Sequence, residues 1–188
     1  MIYLASQSPR RRELLDQIQV KYQSIAVNVD ETPQPDETPQ DYVSRLALAK
    51  AQAGLMTVKA EFPILGADTA IVCDGQLFGK PRDENHAKQM LIKFSGRSHQ
   101  VITAIALVTA SQKKVRINTS NVYFRLLTDV DIQAYIATGE SLDKAGGYAI
   151  QGLASIFIER IEGSYSGVMG LPLYETATLL AEIDMKIL

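Results

Sequence analysis

The stretch Phe62 to Pro81, FPILGADTAIVCDGQLFGKP, limits the possible folds of this chain more than any other. Pro63, Ile64 and Leu65 precede Asp68, and Ala70, Ile71 and Val72 follow it. This β-rich run closes on Asp74-Gly75, the dipeptide of a tight hairpin turn. Both faces of such a strand are mostly apolar, which predicts a sheet covered on both sides. An ionised Asp68 in mid-strand is then costly unless another group binds it.

At 188 residues the chain suits one compact domain, or two lobes sharing a sheet, with a sizeable core. Its 19 basic and 21 acidic side chains leave a net charge of −2, so no global field draws nucleic acid or an anionic membrane, and any anion site is local. The longest apolar run, Val101 to Ala110, is broken by Thr103 and Thr109 and is too short to span a bilayer. Arg10 interrupts the N-terminal segment before a signal-like core develops, and the reading is a cytoplasmic protein. Cys73 is the single cysteine, which excludes an internal disulfide and a cysteine-based zinc cluster; its position at the end of an apolar strand suits a packed thiol.

Along the chain, Met1 to Ser6 reads as a short strand, and Ser8-Pro9 opens a helix to about Ile18 with Ser8 as N-cap. Its first turn carries Arg10, Arg11 and Arg12, where the helix dipole is already positive. Two readings stay open: a phosphate-binding helix start, or a solvated basic turn paired with Glu13 and Asp16. Lys21 to Val29 alternates loosely as a strand and runs into Asp30-Glu31 and a Pro-rich acidic loop. Thr38 and Asp41 then cap a second helix to about Gly54, with Tyr42, Val43, Leu46, Ala49 and Ala53 as its apolar stripe. Lys50, on the edge of that stripe, either snorkels or points into a site.

After the hairpin, Gly79-Lys80-Pro81 leaves the sheet, and Asp83 caps a third helix that ends at Ser95-Gly96. His86 and His99 lack partners at metal-ligand spacing and read as structural or surface residues. His99 to Ala110 and Val115 to Leu127 form a second hairpin, so the sheet is mixed. Thr128 and Asp131 start a helix that closes at Gly139, and Lys144 to Gly152, KAGGYAIQG, reads as a ligand-handling loop. Ile156 to Ile161 is a last strand, and a C-terminal helix follows Pro172.

The unusual residues are therefore a Ser and three Arg at a helix start, the carboxylates Glu31 and Asp68, and the lysines Lys50 and Lys80. Two carboxylates are the minimum protein share for holding Mg²⁺ or Mn²⁺ while phosphate oxygens and water complete the shell. Lys and Arg neutralise the remaining phosphate charge, each contact giving roughly 4 kcal/mol of gross attraction at ~4 Å and an effective dielectric of ~20. The pattern points to phosphoryl-type hydrolysis, without a GxxxxGK[ST] loop, a GxGxxG fingerprint or the kinase set.

At these residues the chain resembles the Maf nucleotide pyrophosphatases, whose fold is similar to that of the inosine triphosphatases. The resemblance covers nearly the whole chain. It rests on Ser6-Gln7-Ser8-Pro9-Arg10-Arg11, Val29-Asp30-Glu31, Lys50-Ala51, Gly66-Ala67-Asp68-Thr69, Gly79-Lys80-Pro81, Ser95-Gly96 with His99 and Thr103, Ala145-Gly146-Gly147-Tyr148 with Gln151-Gly152, and Gly170-Leu171-Pro172.

It implies a single Maf-like domain over residues 1–188. The implied fold is a mixed, partly antiparallel central sheet flanked by helices, in two lobes around a cleft. The implied reaction is metal-dependent hydrolysis of a nucleoside triphosphate to the monophosphate and pyrophosphate. Arg10-Arg11, Ala67-Asp68-Thr69 and Gln151 resemble the dTTP/UTP branch rather than the 7-methyl-GTP branch, while Leu153-Ala154 departs from the second glycine usual there.

Carried over, Asp68 is the general base or metal-coupled activator of water, and Glu31 and Asp68 face a Mg or Mn cation. Lys50, Lys80 and Arg11 clamp the triphosphate, Thr69, Arg11 and Gln151 set base choice, and Ser8 and Arg10 belong to the anion site. A homodimer is compatible with the resemblance. A nucleotide-binding regulator of septum formation without turnover is the alternative from another functional class.

Overall fold

The computed structural model describes residues 1–58 and 61–187. Among them, seven strands form one mixed sheet in the order β2-β1-β3-β5-β6-β7, with β4 paired onto β3. The strands are β1 (Ile2–Ala5), β2 (Tyr22–Ser24), β3 (Ile64–Cys73), β4 (Gln76–Phe78), β5 (Ser98–Val108), β6 (Lys113–Phe124) and β7 (Ile158–Glu162). The helices are α1 (Pro9–Gln17), α2 (Pro39–Thr57), α3 (Glu84–Phe94), α4 (Asp129–Ala137), α5 (Tyr165–Met169) and α6 (Leu173–Ala181). No helix among the described residues is long and apolar enough to cross a membrane. The contacts divide into two compact units, and β3, β5 and β6 each contribute residues to both.

The first unit comprises Met1–Thr69, Thr103–Asn118 and Gly170–Leu188. Strand β1 pairs in parallel with β2 and with β3, where Ala5 lies opposite Gly66. Strand β2 is only three residues long, so most of the expected Lys21–Val29 strand is loop. The N-cap of α2 is as the sequence predicts: the Thr38 hydroxyl accepts the Asp41 N–H, and the helix runs a turn beyond Gly54.

The buried face of α2 is rotated from the expected stripe. It is Val43, Leu46, Ala47, Ala51 and Gly54 that are covered, while Tyr42, Ala49 and Ala53 are partly exposed. The cause is close approach. A Cβ on Gly66 would collide with the Ala47 carbonyl oxygen and lie 2.7 Å from the Ala51 nitrogen, so only small residues fit where α2 crosses β3.

The second unit comprises Ala70–Ile102 and Thr119–Met169. Strands β3 and β4 are antiparallel around Asp74-Gly75, both with positive φ (51° and 74°), as a two-residue hairpin turn requires. Asp83 caps α3 through the His86 N–H, and α4 has a complete Thr128/Asp131 capping box. Cys73 is a buried thiol whose pKa burial pushes up, in keeping with a packed role.

The core of this unit is aromatic. The His99 ring stacks on Phe94 at 4.4 Å between centroids, Phe124 meets Tyr148 at 4.9 Å, and Tyr135 meets Phe157 at 5.4 Å. Within Lys144 to Gly152, the loop expected to handle a ligand, residues Gly146 to Ile150 are buried in this core. Gly146 has φ +68°, and a Cβ there would stand 2.5 Å from Ile71 Cδ1, so the glycine serves packing. Gln151 is exposed where the chain leaves that core.

Candidate active site

The period-2 geometry of β3 puts Gly66 and Asp68 on one face of the sheet. The helix that touches Gly66 through Ala47 and Ala51 carries Lys50 one residue before Ala51, which brings its ammonium to Asp68. Lys50 Nζ lies 2.6 Å from Asp68 Oδ1 and 2.7 Å from Glu31 Oε1. The Lys50 and Asp68 side chains are 14% and 10% exposed, whereas Glu31 is 57% exposed and closes the triad on its open side.

Burial pushes the Asp68 carboxyl above its usual range, and Glu31 adds to this. Lys50 and Arg11 pull the other way without reversing it. The carboxylate is thus a stronger base than an ordinary aspartate.

Glu31 lies beyond β2, in a loop tied to α2. Thr32 N–H donates to Asp30 Oδ1 at 2.9 Å, an Asx-type turn around Glu31. The Tyr42 hydroxyl donates to the Glu31 carbonyl at 3.0 Å, and Arg45 donates to the Thr32 carbonyl at 3.1 Å and to Glu37. Tyr42, assigned above to the apolar stripe, and Arg45, which sequence reasoning passed over, fasten this loop to the helix that supplies Lys50. Their only sequence signal was polarity on a helix face otherwise assigned to packing or solvent.

Of the two readings of the basic helix start, the solvated turn does not describe Arg11, which is hydrogen-bonded within the first unit. Its Nε donates to the Gly170 carbonyl at 2.8 Å, Nη1 to Ser6 Oγ at 3.2 Å and Nη2 to Thr69 Oγ1 at 3.3 Å. Burial lowers its pKa, with Asp68 opposing. Arg11 therefore braces α1, β3 and the Gly170 turn from inside the unit. Thr69 also shares a hydrogen bond with Thr103 at 2.9 Å. Gly170 has φ +108° and would bring a Cβ to 3.2 Å from Thr69 Oγ1, so both backbone and space select glycine.

Ser8 is the N-cap of α1, but its side chain makes no capping bond; its N–H donates to Ser6 Oγ at 3.2 Å. Arg10 lies partly exposed in the first turn. Glu31, Lys50, Asp68, Thr69, Ser8, Arg10 and Arg11 thus all belong to the first unit. Lys80 and Gln151 belong to the second, both exposed. Their segments are joined there by the Gly146 N–H, which donates to the Gly79 carbonyl at 2.9 Å. His99 is structural, as expected: it is 2% exposed, with Nε2 at 2.7 Å from the Tyr148 hydroxyl.

The Maf-like protein family model matches residues 1–183. The dTTP/UTP pyrophosphatase of Chromobacterium violaceum is 49% identical over 190 residues, 99% of this chain and 96% of its own. That of Alkalilimnicola ehrlichii is 51% identical over 189 residues, 98% of this chain and 93% of its own. Among solved structures, the Staphylococcus aureus Ham1 protein is similar over 65% of this chain and 71% of its own, at a TM-score of 0.47 and 15% identity, too distant to bear on chemistry. Matched by that family model over nearly all its residues and about half identical to full-length relatives, the chain belongs to the Maf-like protein family.

Proposed function

We propose that this protein hydrolyses nucleoside triphosphates, dTTP and UTP foremost, to the monophosphate and pyrophosphate. The observation that carries the reading is the Glu31–Lys50–Asp68 triad, a raised-pKa carboxylate beside a cation and a second acid. A pure anion-binding module gains nothing from acids beside a polyphosphate, whereas a hydrolase uses them. The names of relatives at about half identity support the same chemistry and the same bases.

Asp68 takes the proton of the attacking water as that water's oxygen bonds to phosphorus, and the phosphoanhydride bond between the α and β phosphates breaks to release pyrophosphate. Lys50, 2.6 Å from Asp68, stands ready to stabilise charge on the phosphate oxygens. Two oxygen-donor carboxylates converging on one ammonium also fit a hard divalent cation, Mg²⁺ or Mn²⁺, with Glu31 and Asp68 as its protein ligands. Among the described residues no cluster of three or more His, Cys, Asp or Glu is placed to hold a metal, so substrate oxygens and water would make up the rest of the shell. When bound, such an ion neutralises phosphate charge.

Ser8 and Arg10 contribute to anion binding at the start of α1, and Arg11 acts chiefly by fixing Thr69. For Lys80 as a phosphate contact, and for Thr69 and Gln151 as readers of the base, the support is the family resemblance. Product analysis with Mg²⁺ or Mn²⁺ and a panel of dTTP, UTP, CTP, GTP and 7-methyl-GTP tests the proposal. Monophosphate plus pyrophosphate from dTTP and UTP is expected. Turnover of 7-methyl-GTP alone overturns the base assignment, and nucleotide binding without turnover overturns the enzyme.

A further inference from the structure

We infer that Glu140 is a positioning residue for Gln151: its carboxylate seats on the backbone of residues 152–154 and fixes the loop that presents the Gln151 amide to a pyrimidine edge. This rests on the base-reading role proposed above for Gln151. All the residues concerned lie in the second unit.

Glu140 follows Gly139, whose φ of +73° turns the chain off the end of α4. Its Oε2 accepts the Leu153 N–H at 3.0 Å. Its Oε1 accepts the Tyr135 hydroxyl at 2.9 Å and, at 3.5 Å, the Ala154 N–H. Tyr135 is 3% exposed, so the carboxylate is pinned from the core side by α4 and from the other by the loop.

Gly152 reports the same contact. Its backbone is extended, with φ −104° and ψ −156°, a conformation that does not require glycine. What excludes a side chain is Glu140: a Cβ on Gly152 would collide with both carboxylate oxygens and lie 2.5 Å from the carboxylate carbon. The glycine is there to let the acid lie flat on the chain.

On the other side of Gln151, Tyr148 is anchored by its hydroxyl to His99 Nε2 at 2.7 Å, and the Gly152 N–H closes a turn onto the Ala149 carbonyl at 3.1 Å. Gln151 is thus an exposed amide between two fixed points. An amide offers one acceptor and one donor group, and it meets both groups of a uracil or thymine edge at once only if the backbone beneath it is held in place.

Steady-state kinetics on dTTP, UTP and CTP, with amide hydrogen exchange at Leu153, test this in the full-length protein. Glu140→Ala should raise KM for dTTP about tenfold or more, narrow the preference over CTP and speed exchange at Leu153, since small displacements of positioning groups cost up to about 100-fold. Its kcat should stay within about threefold, the pattern of lost ground-state binding.

Gly152→Ala should reproduce these effects by displacing the flexible end of Glu140, and should add nothing in the Glu140→Ala background. Glu140→Gln should restore most of the wild-type behaviour, because its amide oxygen can accept from Leu153 while its NH₂ donates to the Tyr135 oxygen. If Gln151→Ala changes KM and preference but Glu140→Ala and Gly152→Ala do not, the positioning role is overturned and the base reading stands. If Gln151→Ala leaves the preference untouched, the base reading falls and this inference with it.

Discussion

Asp68→Asn separates the chemistry of the site from its packing. The amide has the volume of the acid, and its oxygen can keep accepting from Lys50, now at 2.6 Å from Oδ1. Burial holds the Asp68 carboxyl above its usual 3.8, so the folded state binds that proton more tightly than the unfolded chain does. The stability drawn from that proton is fully present below the unfolded value and is lost as pH rises through the folded one. Near neutral pH the raised pKa of Asp68 offsets what its pairing with Lys50 contributes, and with Glu31 still 2.7 Å from Lys50 the Asn variant should melt close to the wild-type temperature.

Turnover should respond differently. Removing a general base costs about 10²–10⁴ in rate, or about 3–5 kcal/mol of barrier. The assay is pyrophosphate release from dTTP across pH, paired with thermal melts. Wild-type activity should fall on the acid side along a limb centred above the ordinary aspartate range, and the Asn variant should lack that limb. An Asn variant within tenfold of wild-type turnover would refute the reasoning, and so would one that unfolds.

Lys50→Met removes the largest influence lowering the Asp68 pKa, so kcat should fall and the acid limb should move further up in pH; an unmoved limb would detach Lys50 from Asp68. Gly66→Ala drives a methyl into the α2 backbone at Ala47 and Ala51, and overpacking of this kind costs about 1–3 kcal/mol. Denaturant midpoints should register that loss together with lower activity, and an unchanged midpoint would contradict the close approach. His99, buried and neutral, has its pKa pushed down to about 3 from 6.5, so the stability it protects is whole above about pH 6.5 and is lost as pH falls toward 3. The slope approaches about 1.4 kcal/mol per pH unit, and His99→Leu should flatten urea-midpoint profiles across that window relative to wild type; parallel profiles would exclude the effect.

Much of the fold was legible because its signals are local. The Asp74-Gly75 turn, the Thr38, Asp83 and Thr128 caps and the Gly139 stop each depend on a few neighbouring residues, and each is where the sequence places it. The errors came where distant backbone decides. The stripe of α2 was assigned by hydrophobicity, yet the face against the sheet is chosen for smallness, because Gly66 admits the helix backbone itself. The glycines of Lys144 to Gly152 carry the composition of a ligand loop. At Gly146 the freedom is used to pass Ile71 and Phe94 in the core.

The same distinction separates the parts of the site. A mid-strand acid in an apolar run announced that it needed a partner, and the register of one lysine on a capped helix made Lys50 a candidate; the structure joins them at 2.6 Å. Arg11 could not be read this way. Three consecutive arginines at a helix start look equivalent in sequence, and what singles out Arg11 is a carbonyl 159 residues away at Gly170 and a hydroxyl 58 residues away at Thr69. Its role is set by contacts that no spacing within the helix encodes. The same guanidinium donates to Thr69, the neighbour of the proposed base, at 3.3 Å and helps to keep it in one place. Pre-organisation of that kind leaves no local motif, because it requires only that the far end of the chain return with a glycine at the right point.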